Sequence, residues 1–478
     1  MDSASLKFLA FGLAVALASN LGSSRAWRSI VLLVASIAFL GTIERHPLAY
    51  LPLAGFLALG YAALFFLEHG WSRSRVWSIV AVIVAYVWLK KYTFLPAHAF
   101  LNFPYLTLGL SYVFFRVLHL LIEAGDGTPK ERISPGAYLL YNLNFTTLVA
   151  GPIQRYDEFA RDQFAADPIA LGPRTIGLQI ARIIRGCFKV NVLAVLLDLV
   201  RADTLAQLAE PLPLSLKLFS AFHLAIVYPL FLYANFSGYI DIVIALARLM
   251  RVRLPENFDH PFAASSVLDF WNRWHMTLSN WLKIYVYNPL LVALMRRFSS
   301  LALQPFLAVF CYFVTFFLIG VWHGRTSEFL VFGALTGGGM SINKLWQLGL
   351  AGILGRKRYQ TFSRNFIYEA FGRGLNFVWF AFTLFWFWAN WKQIGKVYAA
   401  LGAARWLVVW FAAWMFASIA LALWEWLRAQ LLSIKTADGP VFTGPYARTI
   451  CASAEGLVVF AMTVLLRQPA PSIVYKVF

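Results

Sequence analysis

His323 closes an apolar run, Leu301 to Trp322, that contains no Asp, Glu, Lys or Arg and is long enough to cross a bilayer. An ionisable group at the edge of hydrocarbon is costly, up to roughly 2.5–3.5 kcal/mol for a full charge at mid-bilayer, so a functional use is the expectation. Trp322 on one side offers a rigid wall, and Gly324 on the other permits close backbone approach. Burial favours the neutral imidazole, which near pH 7 can take a proton from a hydroxyl. Positioned base catalysis of this kind is worth roughly 10²–10⁴ in rate.

A second imidazole, His275, lies in the longest departure from plain hydropathy, Arg251 to Asn288, where charged and amide residues mix with Trp and Tyr. Ser266-Val267-Leu268-Asp269 has the form of a capping box and predicts a helix starting just ahead of Phe270. Trp271, Trp274, His275, Leu278, Trp281, Leu282 and Tyr285 recur at three- and four-residue steps, with Asn272, Arg273, Met276, Ser279, Asn280 and Lys283 opposite. Pro289 limits the helix, because the residue before a proline avoids the α region. Such a Trp-rich, basic helix lies along an interface or lines a funnel rather than crossing the membrane. The plain alternative for His275 is a buried histidine bonded to a backbone carbonyl; that alternative is weaker for His323, whose span offers few polar side chains to satisfy it.

A metal centre is disfavoured. The two histidines stand 48 positions apart, no helix carries a two-histidine zinc pattern, and Cys187, Cys311 and Cys451 are scattered in or beside apolar runs. They read as packing residues, not as a disulfide framework.

The elements that must position these groups are membrane helices. With 60% apolar, 17% aromatic and 13% charged residues over 478 positions, the chain cannot make an ordinary soluble surface. Apolar runs begin near Leu6, Ile30, Leu48, Val76, Pro104, Ile176, Leu218, Leu301, Phe329, Leu375, Trp406 and Cys451. Lengths of ~20 residues each predict about eleven transmembrane helices, with shorter runs interfacial or re-entrant. The fold class is an all-α integral membrane protein, and residues 1–478 read as a single polytopic domain without repeats or linkers. The first run follows Met1 to Ser5 without a basic n-region and ends in Ala18, Ser19 and Asn20 without a distinct mature domain behind it, so it is expected to remain as a helix.

The net charge of +19 fits the positive-inside rule better than nucleic-acid binding. Arg25 and Arg28, Arg73 and Arg75, then Lys130 and Arg132 mark every second early connection, which places the N-terminus outside the cytoplasm. Gly355-Arg356-Lys357-Arg358 with Arg364 reads as a further cytoplasmic loop that can touch anionic lipid, whereas Lys90 and Lys91 fit the scheme less well.

Other polar residues have two readings each. Asp241 either orients a histidine or pairs with Arg248, a structural ion pair being the plainer option. Arg155 suits a donor phosphate or positive-inside placement, and Arg182, Arg185 and Lys189 share a helical face suited to lipid headgroups or an acidic donor. His46, His69, His98, His119, His223 and His260 have no motif around them and read as structural or exposed.

The segments Phe270-Trp271-Asn272-Arg273-Trp274-His275-Met276-Thr277-Leu278-Ser279 and Val321-Trp322-His323-Gly324 together resemble the bacterial branch of the membrane-bound O-acyltransferase family. Ala150-Gly151-Pro152-Ile153-Gln154-Arg155-Tyr156, Phe236-Ser237-Gly238-Tyr239-Ile240-Asp241, Pro255-Glu256-Asn257-Phe258 and the tail Ile473-Val474-Tyr475 are similar in the same order. The chain departs from the family pattern at Lys283-Ile284-Tyr285, after Pro289-Leu290, and around Thr336-Gly337.

The resemblance implies His323 as the reaction base and His275 as a second, supporting catalytic residue of one cavity; Trp274, Trp322, Gly324, Asn235 and Arg155 are the substrate-binding candidates beside them. It implies helices around a central tunnel in a bacterial inner membrane and no resident cofactor. The donor would be an acyl thioester, acetyl-coenzyme A or a phosphopantetheinyl acyl carrier protein, reached from the cytoplasm. The acceptor would be a hydroxyl of an extracytoplasmic cell-envelope polysaccharide or of a relay protein, with membrane lipids as surroundings and no nucleic acid. Leu148-Val149-Ala150-Gly151-Pro152 looks like acetylating relatives, and Asn272 and Met276 like D-alanylating ones; acetyl is preferred. Oxyanion donors are left open among His275, amides near Gly324, Asn235 and Trp indoles. A transporter using the same cavity without chemistry, or a silent scaffold, is the rival of another class.

Overall fold

A computed structural model describes residues 5–127, 132–436, 439–442, 444–466 and 469–472 of the chain. Lys130 and the tail Ile473-Val474-Tyr475 lie outside the described residues. Apart from a two-residue antiparallel ladder pairing Lys435 with Pro440 and Thr436 with Gly439, and an isolated bridge between Phe258 and Trp274, the regular structure described is helical.

Every apolar run named above carries helix. Among the described residues, six helical stretches are long and apolar enough to cross a membrane: Arg25–Ile43, Pro47–Glu68, Leu214–Leu249, Gln304–His323, Ala403–Ser433 and Pro445–Leu465. On that criterion the count falls below about eleven, because helices such as Leu6–Asn20 and Arg75–Leu89 are apolar but short. The exposed Leu407, Phe411 and Ile419 on Ala403–Ser433 match a hydrocarbon surround, where a helix satisfies its own backbone polar groups.

The chain divides into two compact units. The first holds residues 1–187, 236–256 and Ser472 of the described chain. Its first two helices start on side-chain caps, Ser5 for Leu6–Asn20 and Ser24 for Arg25–Ile43, each accepting from a backbone amide three residues on. Phe8 packs edge-on against Phe39 at 5.6 Å and against Phe145 at 6.2 Å. Two buried guanidiniums serve backbone. Arg116 donates to the carbonyls of Tyr141, Asn142 and Thr147, across the break between Pro135–Leu143 and Phe145–Leu148, and Arg28 donates to those of Asp162 and Ala165.

Asp241 takes Arg182 Nε at 2.9 Å, and Arg182 also bonds Glu256. Arg182 thus supplies the structural ion pair expected of Asp241. Arg248, the partner expected from spacing, instead donates to the carbonyl of Ala170. His119 is buried, its Nε2 accepting from the amide of Tyr156.

The second unit holds residues 188–235 and 257–471. Leu224, Phe377, Phe385, Trp406, Val409 and Ala413 are among its buried core. Gln304–His323 packs against Ser327–Leu354 at very short range. A Cβ on Gly333 would meet the carbonyl oxygen of Phe317 at 2.5 Å, and one on Gly337 that of Phe313 at 2.7 Å. Small residues let the two backbones close in, which fixes the height at which the first helix ends.

The predicted helix from Phe270 to Asn288 is broken. Val267–Trp271 starts on Ser266, whose hydroxyl accepts from the amide of Asp269. The return half of the capping box is replaced by an ion pair, since Asp269 takes Arg273 Nε at 2.9 Å. His275 then adopts a left-handed conformation, φ 46° and ψ 50°, and a new helix runs Met276–Leu282. The two-faced pattern survives the break: Trp271, Trp274, His275, Leu278, Trp281 and Leu282 are buried, and Asn272, Asn280 and Lys283 exposed. Pro289 does not stop the chain. A π-turn, Lys283–Tyr287, leads into Asn288–Arg297 with the proline in its first turn, where no intrahelical donor is missed.

Candidate active site

His323 is the last residue of Gln304–His323, and Gly324 is its C-cap. His323 is 4% exposed, and its ring makes T-shaped contacts with Trp322 at 4.7 Å, Phe387 at 5.1 Å and Phe332 at 5.9 Å between centroids. Gly324 has no room for a side chain, because a Cβ there would fall on the ring of Phe329. The close approach expected at this glycine is therefore with an aromatic ring.

His275 is 1% exposed, and its ring centroid lies 6.3 Å from that of Trp322. Non-glycine residues rarely take positive φ, and here the surroundings impose it. The amide of Met276 donates to the carbonyl of Asn257 at 3.0 Å, and the amide of Asp259 to that of Arg273 at 2.9 Å. The side chain of Asn257 adds more: its Oδ1 lies 3.1 Å from the amide of Thr277, 2.9 Å from Thr277 Oγ1 and 3.2 Å from His275 Nδ1. Burial alone pushes the His275 pKa well below that of a free imidazole, so the ring is neutral at physiological pH.

The structure brings His275, His323, Trp322 and Gly324 into one neighbourhood of the second unit. Trp274, 2% exposed, packs on Phe380 at 4.9 Å and Phe258 at 5.1 Å, and so serves the aromatic floor beside His275. Asn235 is fully buried, with Nδ2 3.5 Å from the carbonyl of Pro471. Arg155 belongs to the first unit, where it pairs with Glu123 at 2.8 Å and Asp157 at 3.3 Å. Among the described residues no group of three or more His, Cys, Asp or Glu side chains could hold a metal ion.

The residue that the sequence left unassigned is Asn257. Its segment was legible as a motif, but nothing in its spacing linked it to an imidazole 18 positions on. A cavity of about 500 Å³ in the same unit is lined by Ser265, Asn343, Trp346, Asn376, Trp379 and Trp414 among others, and by neither histidine.

Residues 126–367, about half of the chain, match the model of the membrane-bound O-acyltransferase family. The chain is 29% identical over 238 residues to the teichoic acid D-alanyltransferase of Bacillus subtilis, covering 50% of this chain and 58% of the relative. It is 32% identical over 213 residues to the peptidoglycan O-acetyltransferase of Helicobacter pylori, covering 44% and 37%. It is 33% identical over 242 residues to a probable alginate O-acetylase of Pseudomonas fluorescens, covering 50% and 45%. The matched part thus spans about half the length of these curated relatives.

Proposed function

The chain belongs to the membrane-bound O-acyltransferase family, and from that premise we propose that it moves an acyl group, acetyl in preference to D-alanyl, from a thioester to a hydroxyl of an extracytoplasmic envelope polymer or relay protein. The observation that carries the reading is the pair of buried imidazoles, His323 and His275, that share Trp322 as a neighbour.

His323 is the base. It takes the proton of the acceptor hydroxyl as that oxygen bonds to the thioester carbonyl carbon. Collapse of the tetrahedral adduct breaks the C–S bond, and the same proton passes to the departing sulfur, leaving an ester and a free thiol. Trp322 and Gly324 shape the space around the reacting carbonyl, with Trp274 behind them. Because His323 is only 4% exposed, Trp322, Phe332 and Phe387 must part for the substrates to meet its ring. The donor reaches the site from the cytoplasm and the acceptor from the other face through a tunnel, in a bacterial inner membrane with the N-terminus outside. Either coenzyme A or an acidic acyl carrier protein suits the basic loop Arg356-Lys357-Arg358.

D-alanyl transfer is the second reading. It is supported by the similarity to proteins named teichoic acid D-alanyltransferase, just as acetyl transfer is supported by those named for O-acetylation.

The test uses purified protein in lipid with radiolabelled acetyl and D-alanyl thioesters. Wild type is expected to turn over the acetyl donor, with His323→Ala slower by at least about 10²-fold. Turnover of neither donor by wild type, or full rate in His323→Ala, overturns the proposal. Solute passage that persists in His323→Ala without any acyl transfer in wild type would favour a transporter.

A further inference from the structure

Asn257 is fully buried, and its side-chain oxygen faces three groups of the segment that carries His275. The identity of that atom follows from its neighbours. The backbone amide of Thr277, 3.1 Å away, can only donate, so it must face Oδ1; an inverted amide would set NH₂ against N–H. A carboxamide oxygen can only accept. His275 Nδ1, 3.2 Å from the same oxygen, therefore has to carry a proton. A neutral imidazole has one ring proton, so the other nitrogen keeps its lone pair.

We infer that Asn257 is a positioning residue that holds His275 in the Nδ1–H tautomer, so that Nε2 acts in the reaction as a hydrogen-bond acceptor. Three structural facts support one another here. The left-handed backbone at His275 turns the ring to Asn257, the carbonyl of Asn257 fixes that turn through the amide of Met276, and burial at 1% exposure keeps the ring uncharged. Asn257 touches no reacting atom; it acts through His275, much as a buried carboxylate sets the tautomer of a catalytic histidine in serine hydrolases.

The consequence for the chemistry rests on the acyl-transfer reading above. A ring that spends its only proton on Asn257 cannot stabilise an oxyanion, so His275 leaves that task to backbone amides or indoles. What Nε2 can do is hold a donor group of a substrate, such as a hydroxyl of a sugar acceptor or an amide N–H of a pantetheine arm. With His323 taking the reacting proton, this site presents two acceptors and requires a substrate that brings donors to both.

The test reads the tautomer directly. Protein labelled with [¹⁵N]histidine is reconstituted in lipid and studied by solid-state NMR, with His275→Gln identifying the His275 resonances by difference. The expected wild-type signal is neutral, with protonated Nδ1 and unprotonated Nε2, from pH 7 down to about pH 5. Asn257→Asp keeps Nδ1 protonated and introduces a carboxylate that favours imidazolium, so a charged population grows as pH falls over the same range. Asn257→Ala loses the single tautomer, and where the variant turns over an acyl donor its rate falls by at least about tenfold with a changed pH profile. A wild-type Nε2–H tautomer overturns the inference, as does an unchanged tautomer in folded Asn257→Ala. Because the wild-type spectrum needs no acyl donor, it stands or falls separately from the turnover assay.

Discussion

The ring of Trp322 stands in a T-shaped arrangement with both imidazoles, at 61° to His323 with centroids 4.7 Å apart and at 63° to His275 with centroids 6.3 Å apart. One indole therefore sets the position of two candidate catalytic groups contributed by segments far apart in sequence. Trp322→Ala is expected to remove the shared wall, lower acyl transfer by about 10²-fold and destabilise the protein by roughly 3–5 kcal/mol. Trp322→Phe keeps an aromatic edge and should retain more rate and most of the stability. Turnover and thermal unfolding of both variants in the same lipid check this; equal rates in the two would rule out a positioning role.

Gly324 is required by a ring, not by its own backbone, whose φ of −152° is ordinary extended chain. Gly324→Ala drives a methyl into Phe329 and should cost about 1–3 kcal/mol. Pairing it with Phe329→Ala, which removes that ring, should give a loss smaller than the sum of the two single losses. Thermal melts of the four proteins complete the cycle, and strict additivity would disprove the clash.

The ion pair between Asp162 and Arg253 predicts an acid limb in stability. Burial raises the Asp162 pKa, but hydrogen bonds from the side chain and amide of Arg253, with its charge, outweigh that and hold the carboxyl below its ordinary value of 3.8. A depressed carboxylate pKa contributes stability that is present above the unfolded pKa and lost as pH falls through the folded one. The unfolding midpoint should therefore drop as pH is taken from about 5 to about 3, and Asp162→Asn should flatten that part of the curve. A slope unchanged by Asp162→Asn would assign the acid limb elsewhere.

Much of the site was readable one helix at a time. The apolar run before His323 gave a helix ending on that residue, and the alternation of Trp271, Trp274 and Leu278 with Asn272 and Asn280 gave the buried and exposed faces correctly. What could not be read was the break at His275. Periodicity reports forces between near neighbours, whereas this turn is imposed by Asn257 and by Asp259, whose amide reaches back to Arg273. The same limit explains Asp241. Its partner by spacing was Arg248 on the same helix, but Arg182, from another helix, takes the carboxylate. Pro289 taught a different lesson: in the first turn a proline lacks a donor the helix never uses, so it opens a helix as readily as it closes one.

The hydrocarbon cage around His323 carries a chemical consequence of its own. Water competes with any alcohol for an activated acyl group, and at an open surface its abundance would let it win. On the proposed acyl-transfer reading, with His323 as base, the rings of Trp322, Phe332 and Phe387 around it offer hydroxide and stray solvent only an apolar surround. A thioester delivered there should wait intact until a proper acceptor arrives, which makes slow spontaneous hydrolysis the signature of this arrangement.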